Sequence, residues 1–197
     1  MATLVIHPED DSSTSFLKQI YEDIPSRVIT KNLPKNELID AVKKANNVII
    51  LGHGDKNGLF NTYVDSNANS KYIIDTNFAK LLEHKNCLLI WCHANDFVTY
   101  NKIYFNGIST GMFVSQQNEL ICLDENFEFE QEIEAYQPMI DESNTAFVSI
   151  LGKLLKDNRF DNLHSIYEKL KLDYKVIAQR NEIACYNHSR IFFNNPK

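Results

Sequence analysis

The sequence lacks any apolar run that approaches the roughly 20 residues a helix needs to cross a bilayer. Its first residues lack the basic segment and long apolar stretch of a secretory signal peptide. It also lacks an excess of basic residues, because 26 Asp and Glu against 20 Lys and Arg give a formal net charge of -6. Clustered Lys and Arg carry most of the affinity for nucleic acids. We therefore expect a cytoplasmic protein that binds neither membranes nor nucleic acid.

Cysteine is scarce and irregularly spaced. The four cysteines are Cys87, Cys92, Cys122 and Cys185, and they form no Cys-x-x-Cys pair. This spacing argues against a disulfide framework and against a zinc cage. No glycine-rich phosphate loop of the common patterns is present either. We therefore expect reduced thiols, no bound metal and no cofactor.

The apolar content is that of an ordinary globular protein. The chain has 197 residues, of which 44% are hydrophobic and 11% aromatic. This is enough for one domain with an ample core. No internal repeat, linker or low-complexity tract divides the sequence, so residues 1–197 are expected to form a single domain.

Apolar runs alternate with amphipathic segments along the chain. Thr3–Ile6, Val48–Leu51 and Leu88–Trp91 are short and almost entirely apolar, which is typical of strands buried on both faces. Met112–Val114 is predicted to be a further strand and Arg190–Phe193 a terminal one. Helical spacing of apolar residues separates these runs. The pattern predicts an α/β three-layer sandwich with a mostly parallel central sheet flanked by helices.

Two of the predicted strands end in residues that suit nucleophilic catalysis. A cysteine attacks as its thiolate, so it needs a nearby histidine, an exposed position and donors for a developing oxyanion. His53 follows Val48–Leu51, and Cys92 follows Leu88–Trp91. If these strands are parallel neighbours, both residues face one cleft at the carboxyl edge of the sheet. Gly54 lets its backbone N–H approach a substrate carbonyl, and the Cys92 N–H can be a second donor.

The two strand-end motifs read Val48-Ile49-Ile50-Leu51-Gly52-His53-Gly54 and Leu88-Leu89-Ile90-Trp91-Cys92-His93-Ala94. Together they resemble the caspase-like superfamily of cysteine peptidases, which includes caspases, metacaspases, legumain, gingipain, clostripain and separase. In that family an apolar strand ends in His-Gly, and a later one ends in Cys followed two positions on by a small residue. The polar loop Gly52–Phe60 is also similar to the loop after the catalytic histidine of caspases. The resemblance extends from about Thr3 to Val114 and implies a caspase-like fold.

The resemblance also implies roles for individual residues. Cys92 is the nucleophile that attacks a peptide bond of a peptide or protein substrate, and His53 protonates the leaving amine. The backbone N–H groups of Gly54 and Cys92 form the oxyanion hole. Four further residues are candidates for the substrate cleft: Asp55, Trp91, His93 and Asp96. An acid in the cleft favours Arg or Lys, as in the metacaspase and clostripain branches, whereas caspases use arginines to bind Asp.

Family members commonly carry a small residue where this chain has the bulky Trp91, and often Gly in place of Ala94. This departure leaves a second interpretation open, in which the same fold is a catalytically inactive protein-interaction module with a buried or misoriented Cys92. A regulatory protein partner is also consistent with the resemblance. The acidic stretch from Asp124 to Glu134 could then be a regulatory loop, or simply a polar helix.

A metal site is a third interpretation. Four potential zinc ligands follow the two strands: His53, Asp55, Cys92 and His93. No pair among them has a spacing typical of zinc sites, and His93 directly follows Cys92. We therefore favour a cysteine peptidase over a zinc protein.

Overall fold

The fold is described by a computed structural model, which covers residues 2–8, 12–31, 33–62, 71–122, 133–158, 160 and 162–195. Its strands are β1 (Thr3–Ile6), β2 (Arg27–Ile29), β3 (Asn47–Leu51), β4 (Gly54–Asp55), β5 (Gly58–Phe60), β6 (Tyr72–Ile74), β7 (Asn86–Ile90), β8 (Asn106–Thr110) and β9 (Ile191–Asn194). Its α-helices are α1 (Lys35–Lys44), α2 (Thr76–Ala79), α3 (Ala94–Asn101), α4 (Gln137–Asn158), α5 (Leu163–Ala178) and α6 (Glu182–Ser189). Four 3-10 helices span Ser12–Ile20, Lys80–Leu82, Gln117–Cys122 and Ile133–Tyr136. Most of the acidic stretch discussed above, residues 124–132, lies outside the described residues.

Six strands form the central sheet in the order β2-β1-β3-β7-β8-β9. The first five are mutually parallel, and β9 pairs antiparallel with β8. The inner strand β3 is buried along its whole length, as the apolar run Val48–Leu51 predicts. The predicted α/β fold with a mostly parallel sheet flanked by helices is therefore confirmed.

Both faces of the sheet are covered by helices because successive side chains of a strand point to opposite sides. On one face Val48 and Ile50 of β3 pack in a core with apolar side chains of α1, α2 and α3. On the other face Ile49 and Leu51 pack in a second core, with the 3-10 helix Ser12–Ile20 and the helices α4 and α5. This arrangement is compatible with the three-layer sandwich that the sequence predicts.

The fifth strand of the sheet lies earlier in the chain than predicted. The sequence prediction of a strand at Met112–Val114 is wrong, because the strand is β8 at Asn106–Thr110. Ser109 and Thr110 are fully buried in β8, and Thr110 Oγ1 donates to the carbonyl oxygen of Trp91 at 2.8 Å. Because their hydroxyl groups are hydrogen-bonded, Ser and Thr can occupy interior positions at which a search for apolar runs expects apolar residues.

A row of hydrogen-bonded side chains lies along the amino edge of the sheet, where the parallel strands begin. The first residues of four parallel strands stand next to one another in register: Thr3, Asn47, Asn86 and Asn106. Asn47 Nδ2 donates to Thr3 Oγ1 at 3.2 Å, and Asn86 Nδ2 donates to Asn47 Oδ1 at 3.0 Å. Asn106 Nδ2 donates to Asn86 Oδ1 at 2.9 Å. We call this row the asparagine ladder.

At the opposite, carboxyl edge the chain leaves β3 and enters a small antiparallel sheet of order β4-β5-β6. Gly54 pairs with Leu59 in this sheet, so the residue directly after His53 is part of its first strand. None of the helices in the described residues is long and apolar enough to cross a membrane.

Candidate functional site

The carboxyl ends of β3 and β7 bring His53 and Cys92 together. The two strands are parallel neighbours, with Asn47–Leu51 paired in register with Asn86–Ile90. Each of the two site residues lies two positions beyond the end of its strand, so the pairing carries both to the same edge. Both line a cavity of about 590 Å³. The thiol and the imidazole therefore share one open depression.

The His53 ring is held by groups from two other chain segments. Its Nε2 lies 2.8 Å from Ser13 Oγ and 2.7 Å from Gln116 Nε2. An amide nitrogen can only donate, so in this orientation Nε2 accepts and the ring proton is on Nδ1. Nδ1 lies 3.7 Å from Glu119 Oε1. The ring is thus oriented by Ser13 and Gln116 on one side and faces a carboxylate on the other.

The Cys92 thiol faces two oxygen atoms. Its Sγ lies 3.3 Å from the carbonyl oxygen of Phe113 and 3.5 Å from Glu119 Oε1. Both oxygens accept hydrogen bonds and neither donates, so these two contacts suit a protonated S–H group. Cys92 is only partly buried. A reagent or substrate that enters the cavity can therefore reach its sulfur.

Glu119 is a residue of the site that sequence analysis missed. Its Oε2 accepts hydrogen bonds from the Ser115 N–H at 2.7 Å, the Ser115 hydroxyl at 2.9 Å and the Gln116 N–H at 3.0 Å. The bond between Gln116 and Glu119 has the spacing of a capping box, in which a Glu binds the backbone N–H three residues earlier. The 3-10 helix Gln117–Cys122 begins directly after Gln116. This cap fixes one carboxylate oxygen and presents the other to the dyad.

Gly54 packs against the indole ring of Trp91. A Cβ atom at Gly54 would lie 2.3 Å from Trp91 Cδ1 and 2.5 Å from the Gly58 carbonyl oxygen, so a side chain there requires a shift of backbone or ring. Trp91 is only 2% exposed, and its Nε1 donates to the Asp55 carbonyl oxygen at 3.2 Å. Its ring packs against Phe97 with the centroids 5.6 Å apart. The bulky residue before Cys92 is thus accommodated in the core, beneath a glycine.

The other residues predicted for the substrate cleft are dispersed. His93 lines the cavity, and its left-handed backbone, with φ of 65°, turns the chain from β7 into α3. Its Nδ1 lies within hydrogen-bond distance of Asp96 Oδ2, at 2.7 Å, near the surface. Asp55, Trp91 and Asp96 are not among the described residues that line the cavity.

The Asp55 carboxylate forms hydrogen bonds within the small sheet. It accepts hydrogen bonds from the Asn57 N–H at 2.7 Å and from the Tyr72 hydroxyl at 2.9 Å, and Lys71 Nζ lies 3.5 Å away. Burial by itself raises the pKa of this carboxyl, but the hydrogen bonds and the lysine charge outweigh burial and leave its pKa below the ordinary value. Asp55 therefore stabilises the turn between β4 and β5 in its charged form.

The four residues considered as zinc ligands do not converge, since Asp55 binds within the small sheet and His93 pairs with Asp96. Within the described ranges no group of three or more His, Cys, Asp or Glu side chains is arranged to hold a metal ion.

Two signals in the sequence could have identified the missed residues. Ser13 follows the first strand, whose carboxyl end lies at the same edge as those of β3 and β7. Glu119 has the spacing from Gln116 at which the Glu of a capping box binds a backbone N–H, although Gln116 is not the Ser or Thr of that motif. The sequence does not indicate the fold of the loop after β8, which places Gln116 and Glu119 at the cavity.

Comparison of the chain with models of protein families gave no match, and neither did comparison with curated proteins or with solved structures.

Proposed function

We propose that this protein is a cysteine peptidase of the caspase-like superfamily, with Cys92 as nucleophile and His53 as its acid–base partner. The observation that carries the proposal is the shared cavity of about 590 Å³, which both side chains line at the carboxyl edge of two neighbouring parallel strands. The order of the motifs, a histidine after one strand and a cysteine after the next parallel one, supports it. So does the mostly parallel sheet with helices on both faces.

In the proposed reaction His53 takes the proton of the Cys92 thiol, the resulting thiolate attacks the carbonyl carbon of a peptide bond, and an electron pair moves to the carbonyl oxygen. The backbone N–H groups of Gly54 and Cys92 stabilise this oxyanion. The tetrahedral species then loses its C–N bond as His53 gives a proton to the leaving amine. Water, deprotonated by His53, attacks the resulting thioester and releases a carboxylic acid and the free enzyme.

The position of Cys92 before a helix supports its role as a nucleophile. It lies two residues ahead of α3, and the N-terminus of a helix carries partial positive charge. Such charge stabilises a nearby thiolate. His53 supplies a second source of positive charge whenever its ring is protonated.

The charges around the cavity bear on the choice of substrate. None of the described residues that line it is Lys or Arg, and Glu119 is among them. An acidic substrate side chain would therefore meet no Lys or Arg there, whereas a basic or neutral one is compatible with the lining. We propose peptides with a basic or neutral residue at the cleavage position as the substrate class.

A peptide library prepared from a cell extract tests the proposal, with new termini identified by mass spectrometry. Cys92→Ala and His53→Ala should each reduce cleavage by about a thousandfold or more, because groups that act as one catalytic unit are individually essential. Cys185→Ser, a change of an exposed cysteine, is the matched control and should cleave like the wild type. Cleavage that persists in Cys92→Ala would overturn the proposal. A folded wild type that cleaves nothing would favour the inactive interaction module.

A further inference from the structure

One oxygen of Glu119 lies near both groups of the dyad. Oε1 lies 3.5 Å from Cys92 Sγ and 3.7 Å from His53 Nδ1. The side chains of Glu119 and His53 are 14% and 20% exposed, so solvent screens their charges only in part. Oε1 is thus in contact with the sulfur that a carbonyl carbon has to reach in the proposed reaction.

The two oxygen contacts of the sulfur favour the thiol over the thiolate. A thiolate would face the charged Glu119 carboxylate and, at 3.3 Å, the carbonyl oxygen of Phe113. Neither oxygen can donate a hydrogen bond to it, and the carboxylate repels it. An S–H group, in contrast, can donate to either oxygen.

The position of the carboxylate is set by its own turn and not by the dyad. Three donors hold Oε2: the Ser115 N–H, the Ser115 hydroxyl and the Gln116 N–H. Because these donors belong to the residues just before the 3-10 helix Gln117–Cys122, Oε1 is directed at the sulfur by local backbone geometry.

His53 is affected by the same carboxylate. A protonated imidazole stabilises a neighbouring thiolate, but one that is paired with Glu119 has part of its charge neutralised. Loss of the negative charge at Glu119 therefore removes repulsion from the sulfur.

We propose that Glu119 is an internal blocking acid, which keeps the Cys92 thiol protonated until a substrate displaces its carboxylate. This inference rests on the proposed peptidase function and concerns the regulation of the same site. Small reagents meet the thiol in its protonated state. A peptide that fills the cavity takes the place of Oε1 beside the sulfur.

The test measures alkylation of Cys92 by iodoacetamide from about pH 5 to about pH 9, with the labelled residue identified by mass spectrometry, since only the thiolate reacts. Glu119→Gln removes the charge and keeps an acceptor for the three bonds made to Oε2, and its amide N–H then takes the place of Oε1, where it can itself donate to a thiolate. We expect the midpoint of the pH profile to fall by about one unit, which means about ten times more thiolate at low pH. Because a less basic thiolate is also less nucleophilic, the net gain in rate should be about threefold.

Two further variants separate charge from structure. Asp141→Asn removes a carboxylate that lines a neighbouring cavity, where it accepts a hydrogen bond from Gln137, and it should leave the midpoint unchanged. Glu119→Asp keeps the charge but withdraws it from the sulfur by one methylene, so the midpoint should fall by less than in Glu119→Gln. Circular dichroism verifies that each variant is folded.

An unchanged or raised midpoint in folded Glu119→Gln would overturn the blocking role, and so would an equal shift in Asp141→Asn. If Glu119→Gln fails to fold, an unchanged midpoint in folded Glu119→Asp would likewise overturn the blocking role. The proposed function fails separately, through cleavage that does not depend on Cys92. A lowered midpoint together with Cys92-dependent cleavage supports both proposals.

Discussion

The two edges of the central sheet are built from the same strands and have opposite character. At the amino edge the asparagine ladder joins four strands, and each side-chain amide in it is paired with its neighbour. At the carboxyl edge His53, Cys92 and Glu119 face an open cavity. Strand β7 links the two, because Asn86 begins it and Cys92 follows its end.

This difference separates groups that hold the fold together from groups that are available for chemistry. Polar side chains that satisfy one another contribute to stability, whereas polar groups that converge on a cavity can meet a ligand. Substitutions at the amino edge should therefore change stability, and substitutions at the carboxyl edge should change reactivity.

The two thiols at the ends of β7 give the largest expected contrast. Cys87 is 0% exposed, and burial raises its pKa far above the ordinary value for a thiol. It should react with iodoacetamide only when the fold opens, at a rate about a thousandfold or more below that of the exposed Cys185. Cys92, at the open end, should react at least about a hundredfold faster than Cys87.

Site-resolved mass spectrometry of the labelled protein measures all three rates. In concentrated urea the rates should converge, because the protection comes from the fold. Similar rates for Cys87 and Cys92 in the native protein would show that the two ends of the strand do not differ in accessibility.

The ladder itself gives the second contrast. Asn86→Ala leaves the Asn47 oxygen and the Asn106 amide without their partner, so we expect a loss of about 1–3 kcal/mol in the free energy of unfolding. Gln116→Ala, a change at the carboxyl edge, should cost about 0.5 kcal/mol or less. Urea denaturation measures both, and a larger loss in Gln116→Ala than in Asn86→Ala would contradict the division between the edges.

The smallest effect concerns pH. Because the fold lowers the pKa of Asp55 below its ordinary value of 3.8, the unfolded chain binds a proton more readily than the folded one in the interval between the two values. The stabilisation by Asp55 is therefore fully present above that interval and is lost as the pH falls through the folded pKa. The urea midpoint of Asp55→Asn should accordingly depend less on pH below about pH 4 than that of the wild type. If the urea midpoints of the two proteins change with pH in the same way, Asp55 does not contribute to the pH dependence of stability.

Much of the fold could be predicted because buried parallel strands have a simple signature. Val48–Leu51 is apolar at every position, and β3 occupies almost the same residues. The same rule failed for β8, whose Ser109 and Thr110 are buried through hydrogen bonds that depend on other elements. The apolar run Met112–Val114 instead forms part of the loop after that strand.

The candidate site could be predicted only where the residues follow strands directly. The topology of the sheet determines the positions of His53 and Cys92, and the apolar runs in the sequence indicate that topology. Ser13, Gln116 and Glu119 reach the cavity through a 3-10 helix and a loop, and the path of such segments depends on tertiary packing. Sequence patterns therefore indicated the dyad but not the groups that surround it.

Trp91 is the only tryptophan in the sequence, and its ring lies beneath Gly54 directly before Cys92 in the chain. Indole fluorescence depends on the immediate environment of the ring, so the emission of this protein comes from one known location. Attachment of a group to Cys92, the next residue in the chain, is therefore expected to perturb that emission. Modification of the sulfur could then be followed in real time by tryptophan fluorescence, without any added label.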